Sequence, residues 1–176
     1  RCVKTGAYSM NGVAASLSPS MDIEISSNFE RLLFDLFDRD GAALAKAMAD
    51  FRTTKTLKLT PAQHADFTRL FAGHAVDDAL TLAQIRRTYR DCGYLLDPHT
   101  AVGVATTEAL ASSGITITLA TAHPAKFPDA VKQATGLTPA LPAHLADLFD
   151  RTEQFTPMRA DLDALKTHLS NITKLS

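Results

Sequence analysis

The segment at residues 115–120 constrains the fold of this chain more than any other part of its sequence. Its residues, ITITLA, are mostly β-branched and alternate apolar with polar side chains at the start, between Gly114 and a polar loop that starts at Thr121. This pattern predicts a β-strand. Helical patterns precede it from residue 97 and follow it from residue 128. The order helix, strand, loop, helix is typical of an α/β sheet, in which ligand-binding groups gather where strands end.

Most of the remaining chain has helical periodicity, so we expect a mostly helical α/β fold with a few strands. Residues 11–19 predict a short buried strand, and residues 55–59 predict an edge strand or an extended link. Capping-box patterns at Ser27, Thr60 and Thr81 predict three helix starts. Further helical patterns lie at residues 42–51, 142–150 and 158–170.

Composition excludes several classes of function. The 176 residues are 45% apolar and carry 18 Lys and Arg against 19 Asp and Glu, so the net charge is −1. This balance argues against a general polyanion binder. No apolar run reaches the roughly 20 residues that span a bilayer. Two cysteines, Cys2 and Cys92, make no disulfide framework, which favours the cytoplasm.

Several sequence motifs that mark phosphate-binding, metal-binding or catalytic sites are missing. It contains no glycine-rich phosphate loop, no His-Glu-x-x-His, no Cys-x-x-Cys and no Gly-x-Ser-x-Gly. We therefore expect no metal site. A basic predicted helix permits a helix–turn–helix interpretation in which the chain binds DNA, but neighbouring acidic residues favour a solvated helix face. Its arginines are Arg86, Arg87 and Arg90.

Three segments are candidates for a binding site, and each has a plain structural alternative. The loop at residues 17–22 follows a predicted strand and is either a ligand contact or a polar connection. Asp97 and Pro98 begin a helix, where His99 either contacts an anion or belongs to an ordinary cap. At residues 121–127 a hydroxyl follows the best strand and is either a ligand contact or part of a turn.

These segments, taken in order, resemble threonine synthase. The matching blocks are LSPSMDI at 17–23, SSNFER at 26–31, GYLLDPHTAVG at 93–103 and TAHPAKF at 121–127. Their order and spacing are similar to the C-terminal portion of that enzyme. Four ordered blocks are far more specific than any one of them alone.

The resemblance implies a fold, a cofactor and a reaction. The fold is that of tryptophan synthase β, known as fold type II among pyridoxal-phosphate enzymes. The reaction converts O-phospho-L-homoserine and water to L-threonine and phosphate, with pyridoxal phosphate as the electron sink. The family places the cofactor-bonding Schiff-base lysine and the phosphate-cradling loop upstream of the region that this chain resembles. No catalytic residue is therefore assigned in this chain.

The resemblance also implies binding residues. Thr121 matches the late-strand hydroxyl that meets the pyridine nitrogen, and Ala122 lies beside it at the cofactor. Further pocket residues are expected with less specificity. They are Ser18, Ser20, Asp22, His123 and Lys126.

The same resemblance organises the chain into four stretches of a larger cytoplasmic enzyme. Because the first residue is Arg1 and not Met, we expect a fragment whose partner is the N-terminal part of the same enzyme. Because the Schiff-base lysine motif is missing from it, we expect this fragment to be inactive alone. Two alternatives stay open: a threonine-synthase-like phospholyase and a free-standing helical interaction module. The four stretches are a strand region and loop at 1–25, a helical subdomain at 26–96, a helix–strand–helix return at 97–140 and a helical tail at 141–176.

Overall fold

Helices form most of the computed structural model, which describes residues 1–110 and 113–173. The chain divides into two compact units, Arg1–Ala140 and Leu141–Ser176. The first unit holds one antiparallel pair of strands, β1 (Ala7–Ser9) and β2 (Thr56–Lys58). The helices are α1 (Cys2–Thr5), α2 (Phe29–Leu36), α3 (Gly41–Thr54), α4 (Pro61–Leu70), α5 (Asp78–Cys92), α6 (Pro98–Leu110), α7 (Pro128–Thr135) and α8 (Leu162–Thr173).

One core of the first unit forms where α2 and α3 pack near the two strands. Leu33 and Phe51 are fully buried there, beside Leu57 of β2. Tyr8 of β1 stacks on Phe51 with a distance of 4.9 Å between ring centroids. Burial of this apolar surface fixes the predicted apolar face of α2 toward α3.

A second core lies among α5, α6 and α7. Ile85 and Ala101 are fully buried, and Leu96 and Ala134 pack against them. Leu96 lies two residues before the start of α6, so this core fixes the position of that helix end. The candidate site described below is built on that end.

The predicted helix starts differ in how well the structure bears them out. The capping box at Thr60 is confirmed, since its hydroxyl accepts from the Gln63 amide and the Gln63 side chain accepts from the Thr60 amide. The box at Ser27 is wrong, because α2 begins after Asn28 without a side-chain cap. The box at Thr81 is also wrong, because Asp77 caps α5 with its carboxylate four residues earlier.

The strand predictions also have mixed outcomes. The edge strand at residues 55–59 is confirmed as β2. The short buried strand predicted at residues 11–19 is wrong, because residues 11–15 are exposed and β2 pairs instead with β1, which ends at Ser9. Residues 115–120 form no strand either, and Ile115 is 99% exposed. A strand needs a hydrogen-bonded neighbour, and β1–β2 is the one strand pair in the described parts of the chain.

The second unit is short and lightly packed. The helix predicted at residues 142–150 is replaced by two 3₁₀ turns, Ala143–Leu145 and Leu148–Asp150. The terminal helix predicted at 158–170 is observed as α8. In the described residues, no helix is both long and apolar enough to cross a membrane.

Candidate functional site

The start of α6 is a buried carboxylate cap. The Asp97 side chain is 1% exposed and accepts hydrogen bonds from the backbone amides of His99, at 2.9 Å, and Thr100, at 3.3 Å. Pro98 has no amide hydrogen to satisfy, so it costs nothing at this first helical position. The predicted cap is thus confirmed. The sequence left open a bound anion at this helix start. In the structure these two amides donate to the Asp97 carboxylate instead.

His99 connects the cap to the loop at residues 17–22. Its Nδ1 lies 3.1 Å from Asp97 Oδ1, and its Nε2 lies 3.1 Å from the Ser20 backbone nitrogen. A backbone amide can only donate, so Nε2 accepts and Nδ1 carries the ring hydrogen that is donated to Asp97. The ring also packs on Phe127, with 4.5 Å between centroids.

The Thr100 hydroxyl connects the same cap to Thr121. It donates to Asp97 Oδ2 and accepts from the Thr121 backbone amide at 3.1 Å. Both kinds of hydrogen bond that a hydroxyl can make are therefore used. Thr121 itself is exposed, and its hydroxyl has no hydrogen-bond partner within residues 1–110 and 113–173. Its backbone is anchored while its side chain is free to bind a ligand.

The loop at residues 17–22 is closed mainly by its own polar groups. Asp22 accepts from the Ser16 amide at 2.8 Å and from the Ser16 hydroxyl at 2.7 Å. Ser18 is buried, and its hydroxyl lies 3.2 Å from that of Ser16. Three residues of this loop were expected at a pocket. The backbone amide of Ser20 contacts the His99 ring, while Ser18 and Asp22 hydrogen-bond within the loop region.

The segment after Thr121 is a short turn beside a cleft. His123 is exposed, and its Nδ1 accepts from the Ala125 amide at 3.1 Å, which caps the 3₁₀ turn Pro124–Lys126. Ala122 is half-buried. Lys126 Nζ lies 5.8 Å from the centroid of the Phe127 ring. Lys126 also lines a cleft of about 260 Å³ between this segment and the loop.

The basic face of α5 is engaged by protein groups. The Arg86 guanidinium donates to the Ala134 carbonyl at 2.8 Å, Arg87 pairs with Glu108, and Arg90 pairs with Asp91. Arg87 and Arg90 thus pair with carboxylates of this chain. As for metals, the described residues hold no group of three or more His, Cys, Asp or Glu side chains that could bind an ion.

Comparisons with known proteins show which family this chain belongs to. The family model described as "Threonine synthase, C-terminal" matches residues 100–169. Threonine synthase from Pseudomonas aeruginosa is 45% identical over 97% of this chain. The chain belongs to the threonine synthase family. It spans 37% of the length of the Pseudomonas threonine synthase and corresponds to a C-terminal region.

Solved threonine synthases have the same fold over this region. The X-ray structure of the pyridoxal-phosphate-bound threonine synthase from Brucella melitensis is 42% identical, with a TM-score of 0.84 over 97% of this chain and 37% of its own. Threonine synthase from yeast is 32% identical, with a TM-score of 0.78 over 100% of this chain and 40% of its own. The mostly helical fold with a few strands, expected from the resemblance, is confirmed.

Thr100 is a member of this site that the sequence patterns did not indicate. It was not among the expected pocket residues of the threonine synthase resemblance, although the structure makes it the direct anchor of Thr121. Its position three residues after Asp97 indicates a hydrogen bond between the two side chains, since a side chain at the third helical position commonly hydrogen-bonds with the capping residue. Nothing local indicated that the same hydroxyl also reaches across 21 residues.

Proposed function

We propose that this chain is the C-terminal part of a pyridoxal-phosphate-dependent threonine synthase, which converts O-phospho-L-homoserine and water to L-threonine and phosphate. The observation that carries this proposal is Thr121, whose backbone is anchored by Thr100 while its hydroxyl is exposed and unpaired within the described residues. The family match, the fold of the solved threonine synthases and the pyridoxal phosphate bound to the Brucella melitensis enzyme support it.

The residues around Thr121 fit the proposed cofactor. The pyridine nitrogen needs one hydrogen-bonding group, and a hydroxyl can either donate to it or accept from it. A carboxylate at this position would favour protonation of the ring nitrogen, whereas a neutral hydroxyl does not. When bound, pyridoxal phosphate accepts electron density from substrate carbons as they lose protons. Thr121 would therefore set the strength of that electron sink.

Lys126 is proposed to favour a negatively charged group near the cofactor. Its ammonium lies beside Phe127 at the edge of the cleft that Leu17 and Pro19 also line. Like the other lysines of this chain, it lies outside the cofactor-bonding motif. Its proposed role is therefore electrostatic.

The remaining pocket residues are proposed to shape the wall around Thr121. Ala122 follows Thr121 directly, and His123 holds the turn that presents Lys126. Ser20 fixes the neighbouring loop through His99. Ser18 and Asp22 keep that loop closed, so their contribution is indirect.

The full-length enzyme is proposed to complete the site. Its upstream part supplies the cofactor-bonding lysine and the phosphate-cradling loop, and neither a nucleic acid nor a membrane takes part. A cytoplasmic location is proposed because Cys2 and Cys92 are both free thiols. The four stretches 1–25, 26–96, 97–140 and 141–176 remain our proposal for how this chain divides within that enzyme.

Product analysis tests the proposed reaction. Full-length enzyme containing this chain is incubated with O-phospho-L-homoserine, and threonine, 2-oxobutyrate and phosphate are quantified. We expect threonine and phosphate in equal amounts, because water replaces the eliminated phosphate on the same carbon chain. As a control, removal of pyridoxal phosphate should abolish the reaction, and adding it back should restore it.

The other outcomes separate the alternatives. Release of phosphate together with 2-oxobutyrate, and without threonine, would identify a phospholyase. Absence of any phosphate release from cofactor-loaded enzyme would contradict the proposed function altogether. The free-standing interaction module is not favoured by the comparisons, since the match to solved threonine synthases extends over 97% of the chain.

A further inference from the structure

The hydroxyl of Thr100 is the one group that joins the buried cap of α6 to the backbone of Thr121 among the described residues. Thr100 is 4% exposed, so its hydrogen bonds are shielded from water. Its oxygen accepts from the Thr121 amide at 3.1 Å, and its hydrogen is donated to Asp97 Oδ2. The hydroxyl cannot rotate to another acceptor without losing the Asp97 bond. The two bonds therefore hold each other in place.

Asp97 is itself held from several directions. It accepts from the amides of His99 and Thr100 and from the His99 ring. The His99 ring is fixed in turn by the Ser20 amide and by Phe127. Rotation of the carboxylate would break several of these contacts at once. Thr100 thus connects the Thr121 backbone to a rigidly held part of the structure.

The segment around Thr121 is mostly exposed, in contrast to the buried cap at Asp97. The Thr121 side chain is exposed, and the segment before it, at residues 115–120, forms no strand in the described chain. The segment is linked to α6 by the side-chain hydroxyls of Thr107 and Thr118, which lie 3.1 Å apart, and by the bond from the Thr121 amide to the Thr100 hydroxyl. Because the Thr100 bond holds the Thr121 backbone itself, its loss should displace Thr121 directly.

We propose that Thr100 is a positioning residue for the cofactor contact of Thr121. This inference rests on the proposed function, in which the Thr121 hydroxyl meets the ring nitrogen of pyridoxal phosphate. Thr100 touches neither substrate nor cofactor in this role. It places the Thr121 backbone so that the Thr121 hydroxyl reaches the ring, and His99 extends the same chain of bonds to the loop that carries Ser20.

The test compares three substitutions in the full-length enzyme. Thr100→Val keeps the shape of the side chain and removes both hydrogen bonds, while Thr100→Ser keeps the hydroxyl. Thr106→Val is the matched control, because Thr106 is half-buried on the same helix and takes no part in the bonds of Asp97 or Thr121. If Thr100→Val fails to fold, Thr100→Ala removes the hydroxyl with a smaller side chain.

Two readouts are measured for each variant. Steady-state kinetics with O-phospho-L-homoserine should show kcat of Thr100→Val falling about 10- to 100-fold with KM nearly unchanged, because misplacement by a fraction of an ångström affects the reacting geometry more than binding. Hydrogen exchange of the cofactor-free enzyme should show faster exchange of the Thr121 amide. Thr100→Ser should restore both readouts, and Thr106→Val should change neither.

The outcomes distinguish this inference from the proposed function. A Thr100→Val enzyme with the wild-type kcat, alongside a Thr121→Val enzyme that has lost activity, would overturn the positioning role and leave the proposed function intact. Unchanged exchange at Thr121 in Thr100→Val would overturn it as well. If Thr121→Val keeps the wild-type kcat, the proposed role of Thr121 is wrong, and the positioning role that depends on it is overturned too.

Discussion

Replacing Thr121 with Val should lower the kcat of the full-length enzyme by about 10²-fold, the size of effect seen when one preorganised hydrogen-bonding group is removed from a site of developing charge. Valine has nearly the same shape, so the substitution removes only the hydroxyl that we propose meets the ring nitrogen. Because the Thr121 side chain is exposed, the free energy of unfolding should change by less than about 0.5 kcal/mol.

Three measurements check this expectation. Turnover of O-phospho-L-homoserine reports the loss of activity, absorbance of bound pyridoxal phosphate reports the changed ring environment, and thermal unfolding reports the retained fold. Thr121→Ser should keep most of the activity because it keeps the hydroxyl. Thr138→Val, the same change at another exposed threonine, is the control for the substitution itself. Wild-type turnover together with an unaltered cofactor spectrum in Thr121→Val would refute the assignment.

Replacing Asp97 with Ala should cause the largest loss of stability, about 3–5 kcal/mol, because several buried hydrogen-bond donors lose their charged acceptor together. Four groups would lose their acceptor: the two backbone amides, the His99 ring and the Thr100 hydroxyl. Each group left unpaired in a buried place adds its own desolvation cost. The measurement is urea denaturation followed by circular dichroism.

Asp77→Ala is the matched control for Asp97→Ala. Asp77 also caps a helix of this unit, with its carboxylate accepting from the Leu80 amide at 2.8 Å, but it is exposed. Loss of an exposed helix cap typically costs about 1 kcal/mol. Asp97→Ala should therefore destabilise the enzyme much more than Asp77→Ala. Equal losses for the two variants would show that Asp97 is an ordinary cap and not the centre of a buried network.

Local chemistry explains which features of the fold were predictable. The caps at Thr60 and Asp97 depend on residues within three positions, so the sequence predicts both. The box at Thr81 failed because the carboxylate of Asp77 competes for the same helix end. Propensity identified Thr56–Lys58 as a strand, but it could not supply a partner strand for residues 115–120.

The candidate site was predictable in part for the same reason. The blocks that resemble threonine synthase contain Thr121, Ser20 and His99, and local rules place Asp97 at a helix start. The contact between Ser20 and His99 joins residues 79 positions apart, and no local pattern specifies it. The anchoring of Thr121 by Thr100 likewise depends on packing. The sequence therefore indicated most members of the site, and the structure revealed how they are connected.

The proposed contact between Thr121 and the cofactor can be seen in a single crystallographic distance. In the full-length enzyme loaded with pyridoxal phosphate, the Thr121 hydroxyl oxygen should lie within hydrogen-bond distance of the pyridine nitrogen, about 2.7–3.2 Å. The Thr100 hydroxyl should still accept from the Thr121 amide in that structure. A ring nitrogen bonded instead to a carboxylate, with the Thr121 hydroxyl out of reach, would show that Thr121 does not hold the cofactor.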